Sequence, residues 1–265
     1  MDERIVISEK GPVATVTLTR PNKRNALDPD MLKALVDAGQ SLARRTDIRA
    51  VILTGDGPAF SAGLDISAFP KMAELVREAG GLEARTHGRS NIFQYVSMIW
   101  SELPMPVIAA VHGYAFGGAL QIILGADIRI AAPDTRFSIM ESKWGLVPDM
   151  GGVALMKPLV RSDIIRRLTY TAEIFDANQA EKWGFVTELS DEPLVRANEL
   201  AREIATKSPD AIRSAKAMFI ASQELGLEEI LLVEARAQMQ LIGTPNQTEA
   251  VMAAFENREP VFRDQ

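Results

Sequence analysis

From Val107 to Ala126 the chain carries no formal charge, in the run VIAAVHGYAFGGALQIILGA. A stretch of that length and polarity belongs either in a bilayer or in the interior of a folded domain. Gly113, Gly117, Gly118, Gly125, His112 and Gln121 interrupt it, and Asp127 and Arg129 follow at once. It therefore reads as a buried strand, "PVIAAVHGYA", then a turn and a buried helix, "GGALQIILGAD". Packing segments normally avoid glycine, which brings no side chain and costs backbone entropy. Bare backbone is needed at this turn.

The surrounding sequence repeats the order of strand and helix. "RIVISEKGPVATVTLTRP" alternates on both sides of Lys10-Gly11-Pro12, which predicts an antiparallel hairpin. "NALDPDMLKALVDAGQSLARRTD" has a capping Asp28, Pro29 at a helix start and apolar residues at helical spacing. "RAVILTGDG" then predicts a buried strand ended by a turn. "IRIAAPDTRFSI" predicts two short strands around Pro133-Asp134. The segment from Arg161 to Leu189 gives a helix, an extended break, another helix and a strand. Between Ile66 and Trp100 a mixed excursion broken at Gly80-Gly81 predicts a binding loop or lid. Beyond about Asp191 the pattern is wholly helical. The expected organisation is an α/β body over residues 1–192 and a helical region over 193–265.

Composition removes several functions. A net charge of −6 speaks against binding the phosphate backbone of nucleic acid. The chain has no cysteine, so disulfides, thiolate nucleophiles and zinc-thiolate sites are excluded, and a reducing cytoplasmic location is expected. His87 and His112 are the only histidines, a poor supply of metal ligands, and no metal site is expected. No G-x-S-x-G occurs, and "GYAFGG" lacks the G-x-G-x-x-G spacing of dinucleotide-binding turns.

Three segments follow predicted strands and combine into one constellation: "GDGPAFSAGLDI" (55–66), "GYAFGGALQ" (113–121) and "FSIMESKWGLVPDMGG" (137–152). With "RPNKRNAL" near the start and "AAFENREPVF" near the end, the chain resembles the crotonase superfamily, the enoyl-CoA hydratase/isomerase family, over essentially its whole length. The resemblance implies a crotonase-like spiral of ββα units with a helical C-terminal trimerisation region. It also implies an acyl-CoA thioester substrate, coenzyme A as part of that substrate and no other cofactor, and a homotrimer or dimer of trimers, with neither nucleic acid nor membrane as partner.

Site residues carry over by the same resemblance. The N–H groups of Leu64 and Gly118 are expected to form an oxyanion hole. The physical reading agrees for Gly118: the first N–H groups of a helix lack intrahelical acceptors and favour negative charge. Family hydratases place glutamates at the positions of Gln121 and Glu141; this chain keeps Glu141 and has an amide at 121. Gln121 is expected to face the pocket and orient a water or ligand oxygen, but an amide cannot act as a general base. Asp149, eight residues after Glu141, matches an aspartate of the dienoyl-CoA isomerase branch and is a second acid/base candidate, or a local turn cap.

For coenzyme A the resemblance points to Arg24, Ala26, Ala62, Asp65 and Ile66, and to Phe255 and Arg258, which match positions that reach the CoA of a neighbouring subunit. Ile66, Phe69, Met72, Leu75, Ile92, Phe93 and Trp144 are candidates for the acyl pocket or for core. Glu141 with Asp149 favours double-bond isomerisation. The alternatives are a 2-enoyl-CoA hydratase using Glu141 alone and a non-catalytic acyl-CoA binder.

Overall fold

A computed structural model describes residues 3–264. The chain opens with the expected hairpin, β1 (Ile5–Lys10) and β2 (Val13–Leu18), paired antiparallel with Lys10 opposite Val13. Helix α1 (Pro29–Ala43) follows, where the Asp28 carboxylate accepts the Met31 N–H at 2.9 Å and Pro29 supplies the preset first turn. β3 (Ala50–Gly55) comes next.

The excursion folds as α2 (Phe69–Glu78) and α3 (Ile92–Glu102), separated at Gly80 and Gly81, whose φ values of +79° and +95° end the first helix. The uncharged run then divides as read, into β4 (Val107–Val111), β5 (Tyr114–Phe116) and α4 (Gly118–Leu124). Among the described residues no helix is long and apolar enough to cross a membrane. β6 (Ile128–Ala131), β7 (Arg136–Ser138), α5 (Gly152–Met156), α6 (Ser162–Thr171), β8 (Phe175–Asp176), α7 (Ala177–Trp183) and β9 (Glu188–Leu189) complete the body. Four helices end the chain: α8 (Pro193–Ala205), α9 (Pro209–Ser222), α10 (Leu227–Leu241) and α11 (Pro245–Phe255).

The main sheet has the order β1-β2-β3-β4-β6-β9, and all its pairings after β1–β2 are parallel. A second sheet, β5-β7-β8, stands beside it. Every residue of β3 and β4 is buried, as a parallel strand covered on both faces requires. Alternation decides which side each residue meets. Val51, Leu53, Val107, Ala109 and Val111 join the large core with α1, α3 and α4. Ala50, Ile52, Ile108 and Ala110 meet Ala197, Ala201 and Ala205 of α8. The small residues on that helix face let it lie close to the strands. One helix of the C-terminal segment is thus part of the body's packing.

β5 and β7 pair in parallel, and Ser61 in the loop after β3 bridges Ala115 of β5, so the segments leaving β3, β5 and β7 gather together. The mixed α/β architecture places the three segments singled out in the sequence next to one another.

Candidate active site

The loop after β3 is laced to β5 by backbone bonds: Ser61 N–H to Tyr114 O at 3.1 Å and Phe116 N–H to Ser61 O at 3.3 Å. Leu27 N–H to Gly63 O (2.8 Å) and Asp65 N–H to Leu27 O (2.9 Å) hold the same loop from the α1 side. Leu64 lies between them, and its own N–H has no acceptor among the described residues. Gly117 N–H donates to Ser138 O at 2.9 Å, tying the start of α4 to the end of β7. Gly117 adopts φ +53°, ψ −121°, a conformation closed to residues with a β-carbon. A β-carbon at Gly118 would stand 2.6 Å from the Met150 sulfur. The Gly118 N–H opens α4, where no intrahelical acceptor exists.

These backbone groups border a cavity of about 300 Å³. Leu32, Met72, Val76, Leu82, Phe93 and Met140 give it an apolar wall, and Trp144 and Leu146 form a half-exposed lip. The charged side chains on its lining are Glu141 and Asp149.

Glu141 begins a short 3-10 turn (Glu141–Trp144) after β7 and is 9% exposed. Its Oε1 accepts from Gln121 Nε2 at 2.6 Å; its Oε2 is buried with no hydrogen-bond partner among the described residues. Burial pushes this carboxyl above the usual carboxylate range, the backbone and Gln121 donors pull it back, and the negative charge of Asp149 raises it again. Asp149 is also pushed up by lost hydration, although part of it remains open to solvent.

Two donor N–H groups and two carboxyls with raised proton affinity on one apolar cavity form a set that can hold a developing oxyanion and move a proton beside it. The family model described as Enoyl-CoA hydratase/isomerase matches residues 8–265. The chain belongs to the enoyl-CoA hydratase/isomerase family, and it is an enzyme of that type. It is 31% identical to a short-chain-enoyl-CoA hydratase of Clostridium acetobutylicum, over 96% of this chain and 95% of the relative. It is equally 31% identical to a carnitinyl-CoA dehydratase of Salmonella heidelberg, over 99% of both chains. The crystal structure of an enoyl-CoA hydratase from Bacillus anthracis superposes with a TM-score of 0.90 at 27% identity, covering 99% of this chain and 100% of that one.

Within this enoyl-CoA hydratase/isomerase fold the residues singled out in the sequence fall into groups. Leu64, Gly118, Glu141, Asp149, Ala62 and Ile66 all border the cavity. Gln121 does not. It is 2% exposed, and its oxygen accepts the Met150 and Gly152 N–H groups at 2.9 Å each, which leaves its nitrogen facing Glu141. Arg24 is exposed and its carbonyl receives the Ala62 N–H; Ala26 is buried beside it.

Asp65 braces its loop, accepting from Ser67 and from Arg20 at 2.9 Å. Those contacts hold its carboxyl below the usual range, Ser67 first. Phe255 is 81% exposed, and Arg258 is paired with Glu249 and Glu256; neither borders the cavity of this chain. Of the apolar candidates, Ile66, Met72, Phe93 and Trp144 line the cavity, whereas Leu75 and Ile92 pack against the core. The Phe69 side chain lies outside the described residues.

The Met150 and Gly152 backbone donors were not singled out in the sequence. Their one signal in the sequence is the Gly151-Gly152 pair that closes "PDMGG". A β-carbon at Gly152 would come 2.5 Å from the Gln121 oxygen, so the amide occupies the space that this glycine leaves.

Proposed function

We propose that the enzyme moves the double bond of an enoyl-CoA thioester between the 3- and 2-positions, with Glu141 as the proton-transferring group. The Glu141 carboxylate takes a proton from C2 of a 3-enoyl thioester. The C–H electron pair moves through C1 onto the thioester oxygen, and the resulting dienolate oxygen is held by the N–H groups of Leu64 and Gly118. A proton delivered to C4 collapses the dienolate to the 2-enoyl thioester: either Glu141 returns the one it took, or Asp149 supplies one while Glu141 keeps its own, and proton exchange with solvent restores both carboxyls before the next turnover. Atoms and charge balance with no water or cofactor consumed, and coenzyme A is only the carrier of the acyl group.

The observation that carries this reading is the state of Gln121. Both ends of its amide are occupied, and it has no basic form, so it cannot activate water opposite Glu141. A second reading, hydration of a 2-enoyl-CoA by Glu141 with Asp149, draws on the names of the relatives, a hydratase and a dehydratase. Arg24, Ala26, Ala62, Asp65 and Ile66 are proposed to meet the CoA portion, with Phe255 and Arg258 acting from a neighbouring copy in a homotrimer or dimer of trimers. The cysteine-free composition fits a reducing cytoplasm.

The test presents purified enzyme with a 3-enoyl-CoA and, separately, a 2-enoyl-CoA, and follows absorbance of the conjugated thioester. Expected is a gain from the 3-enoyl substrate with no change in product mass. Loss from the 2-enoyl substrate with a 3-hydroxyacyl product would transfer the assignment to hydration. Binding without turnover of either would overturn the double-bond shift and point to a different acyl group as the substrate.

A further inference from the structure

Gln121 lies one helical turn after Gly118 yet points away from the cavity surface, into the wall behind Glu141. Its orientation has a single solution. Two backbone N–H groups, Met150 and Gly152, aim at one end of the amide at 2.9 Å, so that end is the carbonyl oxygen. Turning the amide over would set NH2 against two N–H donors and oxygen against the Glu141 carboxylate, leaving buried groups unpaired on both sides. The remaining end must therefore be the donor, and it meets Glu141 Oε1 at 2.6 Å. Gly152 gives a second, independent sign of the arrangement, because a side chain there would displace the amide oxygen.

We infer that Gln121 is a positioning residue, which fixes the Glu141 carboxyl through its Oε1 and ties it to the segment carrying Asp149. Met150 follows Asp149 directly, so one amide bridges the backbone next to one carboxyl and the side chain of the other. The amide favours the ionised form of Glu141, the form that can accept a proton, against the apolar surroundings that disfavour it. A carboxylate at position 121 would accept the same two N–H groups but would have no donor for Glu141. Two carboxyls at that separation cannot both ionise freely and would hold a proton between them.

This inference rests on Glu141 being the acid/base group of the proposed function, and its test does not need turnover. The Glu141 carboxyl is titrated by carbon-13 NMR in ligand-free wild type, Q121E and Q121M, with Glu141→Gln used to assign the signal. Q121E keeps the acceptor for Met150 and Gly152, and Q121M keeps the side-chain shape, so the two variants do not share a folding defect. Loss of the donor is expected to raise the Glu141 midpoint by about one to two pH units in both. The acid limb of kcat/KM should move by the same amount in whichever reaction the wild type catalyses, with kcat falling more than KM changes. A midpoint that moves by less than about half a unit in either variant overturns the inference, since a purely structural Gln121 would leave it in place. If wild type turns over neither enoyl-CoA, the proposed function fails while the titration still decides the role of Gln121.

Discussion

Glu141 keeps one oxygen against an amide donor and the other buried without a partner among the described residues, and this has a cost in stability. In the unfolded chain its carboxyl has the ordinary value of 4.5; in the folded chain burial raises it. Between those two values the folded state holds the extra proton, so stability falls as pH rises through the folded midpoint. Glu141→Gln removes that loss. Its melting temperature is expected to exceed that of wild type at about pH 8, with the gap narrowing as pH falls toward about 4, while turnover drops by at least about a hundredfold. A calorimetric gap that stays constant with pH would remove burial of the charge as its cause. The sequence shows that residue 121 is an amide and therefore no base. It does not show where the amide points, because the groups that orient it lie 29 and 31 residues further along and are backbone.

Elements with a long, regular pattern are legible: the β1–β2 hairpin, the capped α1, the uncharged β3 and the wholly apolar β4. The second sheet is less so. β5, β7 and β8 are three, three and two residues long, too short for alternation to identify a face. "IRIAAPDTRFSI" reads as two strands and is two strands, but β6 and β7 belong to different sheets, a fact set by long-range pairing. The sequence shows helix α2 only as part of a binding loop or lid. It presents Met72, Ala73 and Val76 to the cavity while Lys71, Glu74, Arg77 and Glu78 face solvent. Ala73 is the smallest of the three, so Ala73→Trp adds bulk to the wall. The variant is expected to lower kcat/KM for a 3-dodecenoyl-CoA about 10- to 100-fold relative to a 3-hexenoyl-CoA, the range that pocket size commands. Equal losses on both substrates would mean that the acyl chain does not run past α2.

The whole molecule holds most of its C-terminal helices to the body by specific ties. Lys216 of α9 is buried and donates to Trp100 O, Met105 O and Asp127 at 2.8–3.1 Å. Asn246 of α11 bonds Asp210 and Arg263, and Arg49 grips the terminal segment through Asp264 and Phe262 O. Helix α10 is different: none of its 15 residues is buried, and Leu227, Leu231, Leu232 and Met239 are all exposed. It packs on α9 within the chain, and large apolar side chains left together at a surface mark an interaction site. A second copy of the chain is the occupant consistent with the proposed trimer. Light scattering at micromolar concentration is expected to give three or six times the 29.0 kDa chain mass. The double variant Leu231→Glu with Met239→Glu sharpens the test, because within one chain both positions face solvent, where such changes stay within about 0.5 kcal/mol. A fall in both mass and melting temperature can then come only from lost association. A wild-type chain that scatters as a monomer, or a double variant as stable and as large as wild type, would leave α10 without the proposed neighbour.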